Sequence, residues 1–227
     1  ASCASEYLFL VHSDDIQHPE RFERQVAYMD ENKGIVLSGT GTFFWLHDFM
    51  NDWARSYSRI AQYPSTPEDI QTQLLFWWCF ANPSLVFRTK YFQKECLFLD
   101  PDYLFSGDYL FYWRTALSGK VGNIKDPLIA YRHHSQSEGP QNRATLEAEV
   151  RHIRGVILEE SGLAGYLDQE LKEVFHKMKV ERNIVMACPS EYEQYCRLFD
   201  NIVAYTQDNP RFPKATMKHL LDGYLQQ

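Results

Sequence analysis

The sequence predicts an α/β fold, because short apolar runs alternate with an amphipathic helical segment near its start. Residues 7–11 form a continuous apolar run that is typical of a strand covered on both faces. Residues 35–45 form a second strand-like run, interrupted by glycines at 39–41. Between the runs, Pro19 suits the first turn of a helix that ends near Asn32. A strand, a helix and a strand in this order form the repeating unit of α/β domains.

The same alternation continues into the middle of the chain. Thr66 is a good cap for a helix that would run as far as the Trp77-Trp78 pair, and this pair is interpreted as core rather than as a sugar-stacking platform. A short strand at residues 85–87 follows, and then a helix over residues 107–117. The next strand region, residues 121–131, is bent at Asp126-Pro127.

From about residue 140 the pattern is helical throughout. Three or four amphipathic helices are predicted, over residues 146–160, 166–183, 191–208 and 215–225. We therefore predict two parts, an α/β portion over residues 1–138 and a helical extension over residues 139–227.

Composition excludes several classes of protein. The formal net charge of the 227-residue chain is −7 without a long basic run, which argues against a nucleic-acid partner. No apolar stretch approaches the roughly 20 residues that span a bilayer. The five cysteines lack CxxC spacing, so neither a disulfide framework nor a zinc site is indicated. Reduced thiols in a cytoplasmic protein are the simplest interpretation.

Candidate chemistry is concentrated directly after the first predicted strand, at His12-Ser13-Asp14-Asp15. Carboxylates at the carboxyl end of a strand lie where open α/β sheets bind ligands, and they suit Mg²⁺ or Mn²⁺. An alternative is that Asp14 or Asp15 only caps the following helix. The pair Glu20-Arg21 is interpreted as a solvated helix start.

Four segments carry a family resemblance, and they occur in order. They are YLFLVHSDDIQHPERFERQVAYMDENKGIVLSGTGTFFW at 7–45, NPSLVFR at 82–88, GDYLFYWR at 107–114 and NIKDPLIAYRHHS at 123–135. Together they resemble the family 2 glycosyltransferases, inverting enzymes of the GT-A fold, over roughly residues 5–137. The first segment is similar to the region around the DxD metal motif of that family. The third is similar to the block that holds the family's catalytic base.

The resemblance implies a GT-A-like partial sheet and a role for each matched residue. Asp108 matches the base that would deprotonate an acceptor hydroxyl. A Mn²⁺ or Mg²⁺ cofactor would neutralise the leaving nucleoside diphosphate. The remaining assignments are metal ligands Asp14, His12 and His134, donor-binding Asp15 and Ser13, and acceptor-side Asn82, Ser84 and Arg88.

The chain also departs from the family pattern. His12 stands where the family has the first aspartate of DxD, and Gly107 replaces a glutamate beside the base. Family members begin with a nucleotide-binding half, so residues 1–138 are expected to match the C-terminal portion of a GT-A domain. A non-catalytic or truncated GT-A-like binding module therefore stays open as an alternative. A metal-dependent phosphohydrolase is disfavoured, because a second carboxylate cluster is missing.

The resemblance further implies partners and a location. A nucleotide-sugar donor and a glycan or lipid-linked acceptor are expected, as in polysaccharide biosynthesis, with no nucleic acid. Bare strand edges leave self-association open. The location is expected to be cytoplasmic, with peripheral contact at the inner face of a membrane as an open alternative.

Overall fold

The computed structural model describes residues 4–46, 58–95, 97–133, 142–178 and 189–225, which form one mixed β-sheet followed by helices. The described strands are β1 (Tyr7–Phe9), β2 (Ile16–Gln17), β3 (Ile35–Leu46), β4 (Ser58–Ala61), β5 (Val86–Arg88) and β6 (Lys120–His133). The described α-helices are α1 (Arg21–Glu31), α2 (Pro67–Leu74), α3 (Thr89–Glu95), α4 (Gly107–Ser118), α5 (Arg143–Ser161), α6 (Gln169–Lys177), α7 (Pro189–Asp208) and α8 (Lys214–Leu225). The predicted α/β class with a helical C-terminal part is confirmed.

The topology of the sheet defines one edge where strand ends converge. The strand order is β1-β5-β3-β6-β2, and β4 pairs with β3 outside this path. The two long strands β3 and β6 are parallel, whereas β5 is antiparallel to both β1 and β3. β1, β3 and β6 therefore run in the same direction, and their carboxyl ends lie at one edge of the sheet. Open α/β sheets commonly bind ligands at such an edge.

The first strand lies at the end of the sheet and is not covered on both faces. Within the described ranges β1 pairs only with β5, and Leu8 is 49% exposed. The expectation of burial on both faces is thus wrong at Leu8. An apolar run does not distinguish a central strand from an edge strand, because periodicity carries no information about pairing partners.

The glycines of β3 mark a bulge and not the end of a strand. The ladder between β3 and β6 is irregular around Gly41. A Cβ atom at Gly41 would lie 2.4 Å from the carbonyl oxygen of Lys125, so the absence of a side chain lets β6 approach closely. Glycine inside a strand is typical of such a close approach.

The helices agree with the sequence pattern in type, with differences at their ends. Thr66 caps α2 as predicted, since its hydroxyl accepts the backbone N–H of Asp69 at 3.2 Å. α2 ends at Leu74, before the predicted Trp78. Among the described residues, no helix combines the length and the apolar character needed to cross a membrane.

One hydrophobic core joins the α/β portion to the helical extension. Trp113 of α4 stacks on Phe212 before α8, with ring centroids 6.3 Å apart and an interplanar angle of 4°. Phe76, just after α2, lies against Phe175 of α6, with a centroid distance of 5.6 Å. The extension therefore packs directly on the layer of helices that covers the sheet. The boundary between residues 138 and 139 stays a prediction.

Candidate active site at the carboxyl edge of the sheet

The acidic loop, residues 12–15, follows β1 and lies at the carboxyl edge of the sheet. Asp15 holds the loop there, because its Oδ1 accepts the backbone N–H of Arg132 at 2.9 Å. Its Oδ2 lies 3.8 Å from Nδ1 of His12, and only 1% of the Asp15 side chain is exposed. Helix α1 begins at Arg21 with no side-chain cap. The alternative that Asp14 or Asp15 caps this helix is therefore wrong.

Arg21 is fully buried, and it binds the backbone at Leu10, just before the acidic loop. Its Nη2 donates to the carbonyl oxygens of Leu10, at 3.0 Å, and Leu85, at 3.3 Å, and its Nε donates to Gln25 at 2.8 Å. Burial lowers the pKa of Arg21 to about 10, although the charge of Asp15 opposes this shift, so Arg21 is still a cation at neutral pH. The expectation of a solvated arginine is wrong, because its backbone partners lie far away in the sequence.

Asp108 lies in the first turn of α4, where the helix dipole favours a negative charge. The indole Nε1 of Trp78 donates to Asp108 Oδ1 at 3.0 Å. Burial raises the pKa of Asp108, whereas the bond from Trp78, the backbone hydrogen bonds and the charge of His12 lower it, and the net direction is upward. A carboxylate with a raised pKa is a stronger base than an exposed aspartate.

Tyr131 of β6 interacts electrostatically with both the acidic loop and Asp108. Burial raises the pKa of Tyr131, and the charges of Asp15, Asp14 and Asp108 raise it further. One phenol therefore lies within electrostatic range of all three carboxylates. His12 is also within range of Asp108. The acidic loop and the α4 aspartate therefore lie close enough to influence one another electrostatically.

The donor set of the acidic loop fits a divalent cation. His12, Asp14 and Asp15 each offer one ligand atom, and these atoms lie within 4.8 Å of one another. A nitrogen donor with two carboxylates suits Mn²⁺ better than Mg²⁺, which prefers oxygen ligands alone. Ser13 lies in the same loop and is exposed. His134 lies outside the described residues.

Two predicted acceptor-side residues form part of the framework around the site. Asn82 Oδ1 accepts the hydroxyl of Tyr112 at 3.0 Å, which ties the turn before β5 to α4. Ser84 is buried, and its hydroxyl donates to the carbonyl of Ala81 at 2.7 Å while it accepts the N–H of Thr40 at 3.1 Å. Both side chains hold the segment that precedes β5.

Arg88 lies at the opposite end of β5, away from the acidic loop. Its guanidinium donates to the carbonyl oxygens of Ile35, at 3.2 Å, and Met29, at 2.8 Å. It also forms an ion pair with Glu6 at 3.2 Å. The structure therefore does not bring Arg88 to the edge that holds Asp108.

Sequence reasoning missed three residues of this site. Trp78 packs against the core as predicted, but its indole also donates to the carboxylate of Asp108, which the sequence pattern does not indicate. Tyr131 lies within the segment NIKDPLIAYRHHS, but the family resemblance of this segment assigns no function to Tyr131 itself. Arg21 gave no local signal, because its partners Leu10 and Leu85 come together with it only in the fold.

Comparison with known proteins gives weak but consistent matches, and no family model matches the chain. An uncharacterized glycosyltransferase of Haemophilus influenzae is 24% identical over 133 residues, which cover 58% of this chain and 41% of that protein. The bifunctional glycosyltransferase pgtA of Dictyostelium discoideum is 25% identical over 162 residues, covering 60% of this chain and 21% of that protein. The match thus spans less than half the length of either relative.

Solved structures of S. aureus TarS also align with the chain. TarS 1-349 in complex with UDP-GlcNAc aligns with 98% of this chain and 66% of its own, at 14% identity and a TM-score of 0.48. The complex with UDP gives a TM-score of 0.44 at 14% identity, covering 98% of this chain and 65% of that chain. Both curated relatives, from Haemophilus influenzae and Dictyostelium discoideum, are glycosyltransferases, so these are the proteins to which this chain is similar in sequence.

Proposed function

We propose that this chain carries the base and the metal-side residues of a glycosyltransferase. The enzyme transfers a sugar from a nucleotide-sugar donor to a hydroxyl group of a glycan or another acceptor, with inversion at the anomeric carbon. The observation that supports the proposal is that Tyr131 interacts electrostatically with Asp14, Asp15 and Asp108, while His12 interacts with Asp108. The names of the two curated relatives support the reaction class.

Asp108 acts as the general base in this proposal. The acceptor oxygen forms a bond to the anomeric carbon while the bond from that carbon to the diphosphate breaks, and Asp108 takes the proton of the hydroxyl. Burial favours this role because it raises the pKa of Asp108, while the hydrogen bond from Trp78 fixes the orientation of the carboxylate. A base on the first turn of a helix is held by a rigid element, as accurate positioning requires.

His12, Asp14 and Asp15 hold the donor side of the site. A divalent cation bound there, Mn²⁺ in preference to Mg²⁺, would stabilise the negative charge of the leaving diphosphate. Asp15 also keeps the loop attached to β6 through the N–H of Arg132. The exposed hydroxyl of Ser13 is proposed to bind the nucleotide-sugar donor, and His134 is proposed as a further ligand of the cation.

A non-catalytic binding module is the second candidate. It is favoured by His12 in place of a metal-binding carboxylate and by Gly107 in place of an acidic neighbour of Asp108. Such a module would bind the donor without breaking its glycosidic bond. Turnover therefore separates the two candidates.

The test compares Asp108→Asn with the control Asp102→Asn, which alters an exposed carboxylate in the loop before α4. Release of nucleoside diphosphate from a panel of nucleotide sugars is measured with Mn²⁺ present. Asp108→Asn should lower turnover by about 10²–10⁴-fold, the usual contribution of a general base. The affinity for donor should be unchanged, and Asp102→Asn should behave as the wild type. Equal turnover in the wild type and Asp108→Asn would refute the assignment of the base, and a wild type that binds donor without turnover would favour the binding module.

A further inference from the structure

Glu149 of α5 binds the loop that leads into α4. Its Oε2 accepts the backbone N–H groups of Phe105 at 3.0 Å and Ser106 at 2.9 Å, and it also accepts the Ser106 hydroxyl at 2.8 Å. Its Oε1 accepts the backbone N–H of Leu104 at 2.9 Å. One carboxylate of the helical extension therefore receives three successive amides and one hydroxyl. Hydrogen bonds to a charged acceptor are stronger than those between neutral groups.

These donors belong to the start of the helix that holds Asp108. Helix α4 begins at Gly107, directly after Ser106, which is fully buried. Ser106 occupies the capping position, but its side chain makes no capping bond within α4, and its hydroxyl donates to Glu149. Glu149 thus binds the backbone N–H of Ser106 and of the two residues before it, while the N–H groups of residues 108 and 109 bond to the Asp108 carboxylate.

We propose that Glu149 is a positioning residue through which the helical extension fixes the orientation of Asp108. This inference rests on the proposed role of Asp108 as the base. Asp108 lies two residues after Ser106, so any displacement of the loop is passed on to its carboxylate and to the hydrogen bond with Trp78. Small errors in the placement of a reacting group lower the rate strongly while they leave substrate binding intact.

A second contact between the same helices provides a matched control. Glu160, at the other end of α5, accepts the indole N–H of Trp113 at 2.9 Å and Nη2 of Arg114 at 3.1 Å. It therefore also joins α5 to α4, but it does so beyond the first turn of α4 and away from Asp108. Loss of Glu160 weakens the packing of the extension without releasing the loop at residues 104–106.

The experiment compares Glu149→Gln with Glu160→Gln in the chain. The first readout is the ¹H–¹⁵N signal of the Trp78 indole, together with hydrogen exchange of the amides at residues 104–106. The second readout is the release of UDP from UDP-GlcNAc with Mn²⁺, with water as acceptor, and the third is the Kd of UDP. Ser106→Ala, which removes one of the four hydrogen bonds, provides a milder variant if Glu149→Gln does not fold.

Glu149→Gln should shift the Trp78 indole signal and speed amide exchange at residues 104–106. It should lower turnover by about ten-fold or more while the Kd of UDP stays within about two-fold. Glu160→Gln should lower the melting temperature but leave the Trp78 signal and turnover unchanged. Ser106→Ala should change the Trp78 signal, the amide exchange and the turnover in the same direction as Glu149→Gln, but by smaller amounts.

Two results would overturn the inference. The first is an unchanged Trp78 signal in Glu149→Gln, and the second is an equal loss of turnover in Glu149→Gln and Glu160→Gln. A wild type without turnover would count against the proposed function alone, because the Trp78 signal still decides whether Glu149 positions Asp108.

Discussion

Replacing Arg21 with methionine should destabilise the chain strongly, although the change lies at the first residue of a helix. Methionine is an unbranched side chain that can fill part of the space but cannot donate hydrogen bonds. The carbonyl oxygen of Leu10 and Oε1 of Gln25 would lose a buried donor, whereas the carbonyl oxygen of Leu85 would keep its hydrogen bond from the N–H of Leu10. Leaving a buried acceptor unsatisfied costs about 1–3 kcal/mol, so the Leu10 carbonyl and the Gln25 side-chain oxygen together predict a loss of about 2–6 kcal/mol.

The matched control is Arg24→Met, one turn along the same helix. Arg24 pairs with Asp126, and both side chains are substantially exposed. Exposed ion pairs contribute about 0–1 kcal/mol, so this variant should lose less than about 1 kcal/mol. Urea unfolding followed by tryptophan fluorescence gives both free energies, provided that the slope with denaturant is the same for all three proteins. Equal, small losses in the two variants would refute the idea that Arg21 holds the end of β1 to the start of β5.

Two further predictions concern protonation. Trp78→Phe removes a hydrogen bond that lowers the pKa of Asp108, so this pKa should rise. The acid limb of the pH–rate profile should therefore move to higher pH. An acid limb at the same pH in both proteins would mean that Trp78 does not affect the pKa of the base. Burial raises the pKa of Glu149, but hydrogen bonds from Leu104, Ser106 and Phe105 outweigh it and place the pKa below its ordinary value of 4.5. This carboxylate therefore stabilises the fold above pH 4.5, and the contribution is lost as the pH falls through the folded-state pKa. The difference in melting temperature between wild type and Glu149→Gln should accordingly narrow on acidification, whereas a constant difference would contradict the assignment.

The order of the elements was predictable because each one carries a local signal. Thr66 caps its helix through its own hydroxyl, and α4 ends at Ser118, before Gly119 and within one residue of the predicted end at residue 117. Asp108 could be placed on the first turn of α4 for the same reason. Strand β4 was missed, because its four residues Ser58–Ala61 are too few to show a clear alternating pattern.

The contacts that complete the site could not be predicted, because they join distant parts of the chain. Trp78 and Asp108 are 30 residues apart, and Arg21 reaches Leu85 across 64 residues. A local pattern shows only that Trp78 is aromatic and that Arg21 begins a helix. Whether each side chain is core, solvated or part of a site depends on the pairing of β1, β5 and β3, which periodicity does not encode.

The central claim is that the acidic loop and Asp108 face the same site, and Mn²⁺ tests it directly. A bound Mn²⁺ ion broadens the NMR signals of nearby protons through its unpaired electrons. The indole N–H of Trp78 should broaden at a lower Mn²⁺ concentration than that of buried Trp113, which donates to Glu160. Asp14→Asn should abolish the broadening. A Trp78 signal that stays sharp when Mn²⁺ is bound, or one that broadens no more than Trp113, would contradict the account.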